Sequence, residues 1–367
     1  MIRTVIVGFA HMHVNEIAMY IDEQPDMELC AIADVPGSCE KIPPFRYTPE
    51  WNLENVKKKY CGNVYGDYKK MLDEVKPELA FVLTENSQKV EVCREIARRK
   101  INISIEKPLA ASLSEAKEIA DIVKENDVEA VVNWPVVWRS HNRFFKSLAE
   151  SKIVGEPIKL RYINGHTGPL GKGAKHRGVN DAADEMSDEQ KGRTWWYQSR
   201  YGGGIYPDIS CYGCFFANWI FGNSAKNAIS YGANLNTPFA DTDDNFAAAI
   251  EYDGRMAVLE GTWTTPRALI PSGPMLICTD GVIMCTGGAE ENPGVKVFDV
   301  YGNEIKTEMP ELEDKYQNMA WHYSHCKKFG EPFDSAVTIE ENLNMISLMD
   351  AMIKSSKSGK KEPVNYF

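Results

Sequence analysis

The first 130 residues alternate between short apolar runs and segments in which apolar residues recur with a helical period. The apolar runs predict buried strands at 4–7, 29–33, 79–83, 101–105 and 130–132. The spacing i, i+3, i+4, i+7 predicts helices around 14–21 and 116–123 and, in part, 90–97. Strands that alternate with helices indicate βαβ units and a parallel sheet, which binds ligands at the carboxyl ends of its strands.

A different pattern follows residue 131 and predicts a second domain. Helices are predicted over about 140–150, 206–221, 313–329 and 338–356, and strands over 158–163, 226–235, 244–252, 255–265, 274–279, 282–286 and 295–300. Short turns such as Asp253-Gly254 and Asp280-Gly281 join consecutive strands, which indicates an antiparallel sheet. We therefore predict an α/β protein of two domains, residues 1–130 and 131–367.

Two segments interrupt these patterns and are predicted to be loops. Residues 36–49 are rich in Pro and are predicted to form a surface loop. Residues 165–193 are polar, charged and rich in Gly, without a clear period. A loop of that length inside a compact domain is usually functional or disordered.

Composition and charge argue against several classes of protein. The formal net charge is −11, whereas a nucleic-acid binder needs a basic face, so we expect no nucleic-acid partner. No stretch approaches the roughly 20 apolar residues of a membrane helix, so we expect no membrane partner. Nine cysteines, in a chain long enough to need no disulfides, indicate a reducing compartment. The chain enters a strand-like run at once, without a signal peptide, and we predict a cytoplasmic protein.

The loop after the first predicted strand, Gly8-Phe9-Ala10-His11-Met12-His13, leads into a helix and predicts a pyrophosphate site. Free N–H groups and the dipole at a helix N-terminus attract anions. The dinucleotide fingerprint has three glycines, and Ala10 and His13 replace the second and third, so a plain strand–turn–helix remains the alternative. Asp34 ends the second strand, where a carboxylate accepts both ribose hydroxyls of NAD and repels the 2′-phosphate of NADP. The alternative for Asp34 is a solvated turn residue.

The segment Glu106-Lys107-Pro108 directly follows a strongly apolar strand, at the edge of the sheet where a cofactor is expected. A partly desolvated lysine near a substrate hydroxyl favours the alkoxide. Pro108 fixes its own φ and helps hold the backbone of Lys107. The alternative is a solvated lysine in a turn.

The segment Gly202-Gly203-Gly204 precedes a predicted helix start that contains Pro207 and Asp208. Asp208 and Tyr212 are spaced i, i+4, which places them on one helix face and allows both to point into one cleft. The alternative is a capping aspartate and a half-buried tyrosine.

These motifs, in this order and spacing, resemble the Gfo/Idh/MocA family of oxidoreductases over almost the whole chain. The most specific part is Glu106-Lys107-Pro108, and Leu83-Thr84-Glu85-Asn86 and Gly202-Gly203-Gly204 to Tyr212 resemble two further family segments. The resemblance implies an N-terminal NAD-binding Rossmann domain. It also implies a C-terminal α/β domain for substrate binding and oligomerisation, with an open, mainly antiparallel sheet. It implies a homodimer or homotetramer as well.

The resemblance also implies roles for individual residues. Lys107 corresponds to the catalytic lysine, Asp208 to its companion acid, and Tyr212 to a position where most members have a catalytic His. The expected NAD-binding residues are Gly8, Phe9, Ala10, His11, His13, Asp34, Thr84, Asn86, Glu106 and Lys107. Several residues depart from the family pattern, namely His11 and His13 in the Gly-rich loop, Glu85 for Pro, Lys89 for His and Ser210 for Gly.

The substrate is expected to be a sugar-like small molecule that meets the 165–201 segment. Aromatic rings stack on sugar faces, and histidine and arginine bind hydroxyls or an anionic group. The candidate substrate residues are His166, His176, Arg193, Trp195, Trp196 and Tyr197. The alternative is that the aromatic residues belong to the core and the charged residues are solvated.

The predicted reaction is transfer of hydride from a secondary alcohol to NAD, with NADP less favoured. Tyr212 is the first choice as general base because a lysine cation nearby would lower its pKa from about 10, and Lys107 is the close alternative. We expect the amine and the phenol to meet over the nicotinamide ring. Two other functions stay open, an NAD-dependent glycosidase that oxidises its sugar transiently and a non-catalytic sugar-responsive regulator.

No metal site is expected from the sequence. Cys211 and Cys214 form C-x-x-C without a second pair, and buried thiols are common in helices. His322 and His325 lie three apart without a carboxylate in a metal-binding pattern, which favours a surface pair. We expect His11 and His13 to lie beside the cofactor.

Overall fold

The structure is a computed structural model that describes residues 1–286 and 293–367. The strands β1 to β15 are, in chain order, Ile2–Val7, Met27–Ala33, Val64–Tyr65, Leu79–Val82, Asn102–Glu106, Ala130–Asn133, Pro157–Gly165, Asn227–Ala233, Asn245–Glu251, Met256–Thr262, Gly273–Cys278, Gly281–Thr286, Gly294–Asp299, Glu304–Ile305 and Glu362–Pro363. The helices α1 to α10 are Val14–Glu23, Pro49–Lys59, Tyr68–Val75, Lys89–Ala97, Leu113–Asn126, Ser140–Ser151, Asp188–Gly192, Cys211–Phe221, Met319–Phe329 and Ile339–Ser358. Across the described ranges, no helix is both long and apolar enough to cross a bilayer.

The chain forms two compact units, and each unit is made of three segments that are separate in the sequence. Unit 1 contains Met1–Trp134, Leu170–Gly203 and Asp314–Leu343, and unit 2 contains Pro135–Pro169, Gly204–Glu313 and Asn344–Phe367. The domain boundaries given by the sequence, 1–130 and 131–367, stay a prediction.

Unit 1 is built on a six-stranded parallel sheet with the order β3-β2-β1-β4-β5-β6. The predicted Rossmann architecture is therefore confirmed. Val5, Ile6 and Val7 of β1 are fully buried, as expected of a strand covered on both faces. The strand order reverses between β1 and β4, and ligands bind in the crevice outside the carboxyl ends at such a switch point.

Four elements of unit 1 were not predicted from the sequence, namely β3, α2, α3 and α7. β3 has only two residues, too few for a periodic signal. α2 buries only Asn52 and Val56, so its apolar face is too weak to register as a helical pattern. The Pro-rich segment ends where Pro49 begins α2, a position at which proline is favoured.

Unit 2 contains a nine-stranded sheet with the order β14-β13-β12-β11-β7-β10-β9-β8-β15. β7 and β10 run parallel, and the other neighbouring pairs are antiparallel, which confirms the predicted open, mainly antiparallel sheet. Leu160, Leu259 and Leu276 are fully buried on the face against which α6 and α8 pack. Alternate residues such as Val258 and Ile277 are half-buried on the opposite face.

The predicted helix 206–221 is divided in two. Tyr206–Ser210 forms a π-helical turn, and α8 continues from Cys211 to Phe221, where Gly222 ends it with φ +71°. π-helical turns are rare and often occur at functional sites. Asp208 lies inside this turn, and Tyr212 lies in the first turn of α8.

Candidate functional site

The loop after β1 is fixed by close backbone contacts at the carboxyl ends of three strands. Gly8 has φ +89°, and a Cβ added there would lie 2.5 Å from Thr84 Cγ2, so only glycine fits. The Gly8 N–H donates to the Ala33 carbonyl at 2.9 Å, and the His11 N–H donates to the Leu83 carbonyl at 3.1 Å. This packing fits the approach of a dinucleotide at the start of α1.

Asp34 lies at the carboxyl end of the neighbouring strand β2 and is tied to the same loop. Its Oδ1 accepts hydrogen bonds from the N–H groups of Phe9 and Val35, both at 2.9 Å. Burial raises the pKa of Asp34 to about 6, although these two bonds act in the opposite direction. Asp34 therefore belongs to the loop's hydrogen-bond network and is not a solvated turn residue.

The loop after β4 brings together Thr84, Glu85 and Asn86, and all three are buried. The Asn86 amide donates to the Gly202 carbonyl at 2.8 Å, and a Cβ on Gly202 would lie 2.6 Å from Asn86 Cβ. Glu85 accepts the Ser38 N–H at 3.0 Å, and burial raises the pKa of its carboxyl. Glu85 thus anchors the 36–49 segment, a contact that the usual proline at this position could not make.

The Glu106-Lys107-Pro108 segment is buried at the end of β5. Lys107 is only 2% exposed, which excludes the solvated lysine considered from the sequence. The ammonium of the fully buried Lys89 donates to the carbonyls of Glu106 (2.6 Å) and Pro108 (2.5 Å). Lys89 therefore supports the backbone on both sides of Lys107.

The carboxylate of Glu106 is held by two side chains, one from the start of α1 and one from the end of β6. Its Oε1 lies 2.8 Å from His13 Nδ1, and its Oε2 accepts a hydrogen bond from Asn133 Nδ2 at 2.8 Å. Sequence reasoning missed Asn133, although a polar residue that ends an apolar strand was a usable signal. His13 thus reaches from the start of α1 to the residue that precedes Lys107.

His11 lies beside His13 and is 2% exposed. Its Nδ1 accepts the N–H of His13 at 3.3 Å, and its Nε2 is buried without a hydrogen-bond partner among the described residues. Burial, together with the positive charges of His13 and Lys107, holds the pKa of His11 well below its usual value. His11 is therefore neutral at physiological pH.

The 170–203 segment of unit 1 covers the loop after β1. The indole N–H of Trp195 donates to the Ala10 carbonyl at 3.1 Å, and the Trp195 and Trp196 rings stack with centroids 3.8 Å apart. The ring of Trp196 meets the ring of His11 edge-on at 5.0 Å. Trp195, Trp196 and Tyr197 are all buried.

The other candidates in this segment have different surroundings. The ring of His176 lies 5.9 Å from that of His13 and meets the ring of Tyr47 edge-on at 4.9 Å. Arg193 is exposed and forms ion pairs with Glu189 (2.6 Å) and Glu40 (3.6 Å). The substrate roles of these residues stay predictions.

The remaining candidates, Asp208, Tyr212 and His166, belong to unit 2. Asp208 Oδ2 accepts the indole N–H of Trp263 at 2.9 Å and lies 3.2 Å from His166 Nε2. The rings of His166 and Trp263 are stacked with centroids 6.5 Å apart. Tyr212 is half-buried on α8. Sequence reasoning missed Trp263, which no motif singles out.

In the other cysteine and histidine pairs, both cysteines and one histidine are buried in the fold. Cys211 and Cys214 are buried, and burial raises the pKa of Cys214 well above its usual value. The expected surface pair of His322 and His325 is wrong for His322, which is buried. Its Nε2 accepts the Asp334 N–H at 3.0 Å, and its Nδ1 lies 3.3 Å from the Lys315 carbonyl. These backbone contacts account for its burial.

Comparison with known proteins agrees with this geometry. Residues 2–134 match the model described as "Oxidoreductase family, NAD-binding Rossmann fold", and residues 145–284 match the "GFO/IDH/MocA C-terminal domain". The scyllo-inositol 2-dehydrogenase (NAD(+)) of Bacillus subtilis is 22% identical, over 90% of this chain and 87% of that protein. A D-xylose 1-dehydrogenase (NADP(+)) of Haloferax volcanii is 20% identical, over 80% of this chain and 83% of that protein.

A solved structure has the same fold. The WlbA dehydrogenase from Bordetella pertussis, in complex with NADH and UDP-GlcNAcA, superposes with a TM-score of 0.76. The match covers 100% of this chain and 99% of that chain at 16% identity. At that identity the likeness establishes the fold and leaves the substrate open.

Proposed function

The chain belongs to the Gfo/Idh/MocA oxidoreductase family, and on that premise we propose that it oxidises a secondary hydroxyl of a sugar, polyol or sugar conjugate with NAD. It is an NAD(P)-dependent oxidoreductase with a Rossmann unit. The proposal rests on the burial of Lys107 next to Glu106, whose carboxylate contacts His13 in the loop after β1. A buried ammonium at the carboxyl end of a central strand is suited to stabilise a developing alkoxide.

The residues of unit 1 fit a dinucleotide. The glycine cradle at Gly8 lets a pyrophosphate approach the backbone, and Asp34 lies at the end of the adjacent strand. A carboxylate at that position accepts ribose hydroxyls and repels a 2′-phosphate, which favours NAD over NADP. The two relatives named above differ in their cofactor, NADP(+) for one and NAD(+) for the other, and the preference proposed for this chain rests on Asp34.

In the proposed reaction the substrate alcohol loses a hydride from its C–H bond and a proton from its O–H bond to different groups. A bound dinucleotide would supply the hydride-accepting chemistry for the substrate C–H bond. Lys107 orients the substrate hydroxyl and stabilises the alkoxide, and Tyr212 takes the O–H proton. Asp208 holds a substrate hydroxyl or Lys107 in position. Lys107 as the base itself is the alternative assignment.

The sugar-like substrate class is supported by the activities for which two relatives are named and by a polar pair of side chains in unit 2. The relatives act on D-xylose and scyllo-inositol by name. The Asp208–His166 pair offers an acceptor and a donor for hydroxyl groups. The several hydroxyl groups of a sugar or polyol suit such partners better than the single hydroxyl of an apolar alcohol.

The proposal is tested by screening aldoses, polyols, cyclitols and nucleotide sugars with NAD and NADP, with the absorbance of the reduced cofactor as the readout. We expect reduction of NAD with at least one of these classes. Lys107→Met should lower kcat by about 10²- to 10⁴-fold, and the Kd for NADH, measured separately, distinguishes a loss of chemistry from a loss of cofactor. Full turnover by this variant, or NAD binding without turnover of any compound, would contradict the proposal.

The identity of the base is tested by a kinetic double-mutant cycle. If Lys107 and Tyr212 act on the same hydroxyl, the combined variant Lys107→Met with Tyr212→Phe should be little worse than the poorer single variant. If Tyr212 is the base, kcat should rise with pH as its phenol ionises, and Tyr212→Phe should remove this rise. Additive losses in the cycle would assign the two residues to separate steps.

We also propose that copies of the chain associate through the open face of the nine-stranded sheet. That face exposes Tyr231 (72%) and Ile229 (50%) on β8, and half-buried Val258 and Ile277 continue it across β10 and β11. Light scattering after size exclusion should give a dimer or tetramer. Val258→Glu should shift the association equilibrium toward the monomer. A monomeric wild-type chain would contradict this assignment.

A further inference from the structure

We propose that His11, His13 and Glu106 form a binding site for a divalent transition-metal ion of the zinc class. Each residue offers one ligand atom, and the three atoms all lie within 4.8 Å of one another. His11 and Glu106 are buried, and His13 is half-buried. The same three side chains are also expected beside NAD, but the inference rests on their mutual geometry and is tested by metal binding, so it can fail independently of the proposed function.

The donor set has the chemistry of a zinc site with an open position. Two imidazoles and one carboxylate are a known set of three protein ligands for Zn²⁺, and water or another oxygen takes the fourth position. Tetrahedral Zn²⁺ with bonds near 2.0–2.2 Å holds its ligand atoms roughly 3.3 Å apart. His13 Nδ1 and Glu106 Oε1 are 2.8 Å apart, so small side-chain rotations would accommodate an ion.

The ligands come from elements that the sheet holds in place. His11 is fixed by its N–H, which donates to the Leu83 carbonyl at 3.1 Å, and His13 directly precedes α1. Glu106 is the last residue of β5 and pairs in register with Asn133 of β6. Ligands on strand ends and a fixed loop keep their mutual geometry, which a metal site requires.

A second observation points to a missing partner at this position. His11 is 2% exposed, and its Nε2 is buried without a hydrogen-bond partner among the described residues. An unsatisfied buried polar group costs about 1–3 kcal/mol, so such atoms usually have a ligand or ordered water. Coordination of the ion by Nε2, with the ring proton moved to Nδ1, would give this nitrogen a partner.

An outer contact orients one of the ligands in the manner typical of metal sites. Asn133 Nδ2 donates to Glu106 Oε2 at 2.8 Å, which leaves Oε1 directed at His13. Partners of this kind tune metal affinity by about 10- to 100-fold. Metal binding by His11 would replace the contact of 3.3 Å in which its Nδ1 accepts the His13 N–H.

Two lysines set a limit on the charge of the site. Lys107 and Lys89 both act on His11 electrostatically, and their charges oppose a second cation. The ammonium of Lys89 is compensated by two carbonyls, at 2.5 and 2.6 Å, and Glu106 supplies a full negative charge. We therefore expect one ion bound by three protein ligands, not a two-metal centre.

The test uses the full-length protein, stripped with a chelator, and titrates it with Co²⁺ and Zn²⁺. Co²⁺ should produce visible d–d absorption that saturates at one equivalent, and Zn²⁺ added afterwards should abolish it. Calorimetry should give one Zn²⁺ site in the wild type. His13→Gln and His11→Gln should each weaken Zn²⁺ binding by more than the roughly 100-fold that loss of an outer partner costs.

His325→Gln is the matched control, because His325 also lies next to a carboxylate, with Nε2 3.2 Å from Glu331, outside the cluster. This variant should keep the wild-type Co²⁺ spectrum and Zn²⁺ affinity. Thermal melts of each variant identify misfolding, and the wild-type titration decides the matter if both cluster variants misfold. Absence of d–d absorption in the wild type, or equal loss in the control, would overturn the proposal and leave His13–Glu106 as a plain hydrogen bond.

Discussion

The indole N–H of Trp195 donates a hydrogen bond to the backbone carbonyl of Ala10, at a distance of 3.1 Å. Ala10 is in the loop after β1, so this loop and the 170–203 segment of unit 1 share one contact network. The stacked ring of Trp196 extends this network to His11. The conformation of the loop therefore depends on residues far away in the sequence.

Trp195→Phe should weaken cofactor binding with little effect on the fold. Phenylalanine keeps an aromatic surface against Trp196 but removes the donor to Ala10, which contributes about 0.5–1.5 kcal/mol. We expect the Kd for NADH, measured by fluorescence quenching, to rise roughly 2- to 10-fold. Trp219→Phe on α8 is the control and should bind NADH as the wild type does. An unchanged Kd in Trp195→Phe would show that this bond does not shape the cofactor site.

The sequence predicted those parts of the site that lie directly after apolar strands. Gly8, Asp34 and Lys107 were found because parallel strands buried on both faces have continuous apolar runs and end at one edge of the sheet. The contacts among side chains were not predictable in this way. His13 and Glu106 are 93 residues apart, and Ala10 and Trp195 are 185 apart, so no local period connects them.

The role of Lys89 shows the same limit. The resemblance placed it where many relatives have histidine, but no local sequence pattern explains why a lysine in a helix is fully buried. Its two acceptors, the carbonyls of Glu106 and Pro108, are 17 and 19 residues away, and only the fold brings them to its ammonium.

Lys89→Met should lower both stability and turnover. The substitution keeps the apolar stem and leaves two buried carbonyls without a charged donor, which costs about 2–4 kcal/mol. We expect a lower Tm by calorimetry, and a lower kcat because the backbone around Lys107 loses its support. Lys70→Met is the control, since Lys70 is exposed and its ion pair with the exposed Glu74 contributes little. A Tm equal to that of the wild type would contradict the structural role of Lys89.

Trp263→Phe should reduce turnover without changing cofactor affinity. The indole N–H is a donor to Asp208 Oδ2, and its loss removes one bond of about 1–1.5 kcal/mol that orients this carboxylate. We expect kcat to fall roughly 5- to 10-fold while the Kd for NADH stays constant. A fall in NADH affinity of the same size would indicate that the substitution disturbs more than Asp208.

Asp34 should make NAD binding dependent on pH near 6. Burial raises its pKa to about 6, so in the free protein the carboxyl is protonated below that pH and ionised above it. Only the ionised form accepts hydrogen bonds from both ribose hydroxyls, so bound NAD favours ionisation, and by linkage NAD affinity rises as pH increases through about 6. The effect on folding has the opposite sign. Between its usual range and pH 6 the folded chain binds more protons at Asp34 than the unfolded chain, so this group lowers stability as pH rises.

The variant Asp34→Asn separates these two effects. Its amide oxygen can still accept the N–H groups of Phe9 and Val35, but it does not titrate. We expect the Kd for NAD, measured by calorimetry from pH 5 to 8, to fall with pH in the wild type and to stay nearly flat in the variant. The variant should bind NAD more weakly at pH 8, discriminate less against NADP, and melt at a higher temperature than the wild type. If both proteins show the same pH dependence, another group controls it, and Asp34 is not the ribose-binding carboxylate.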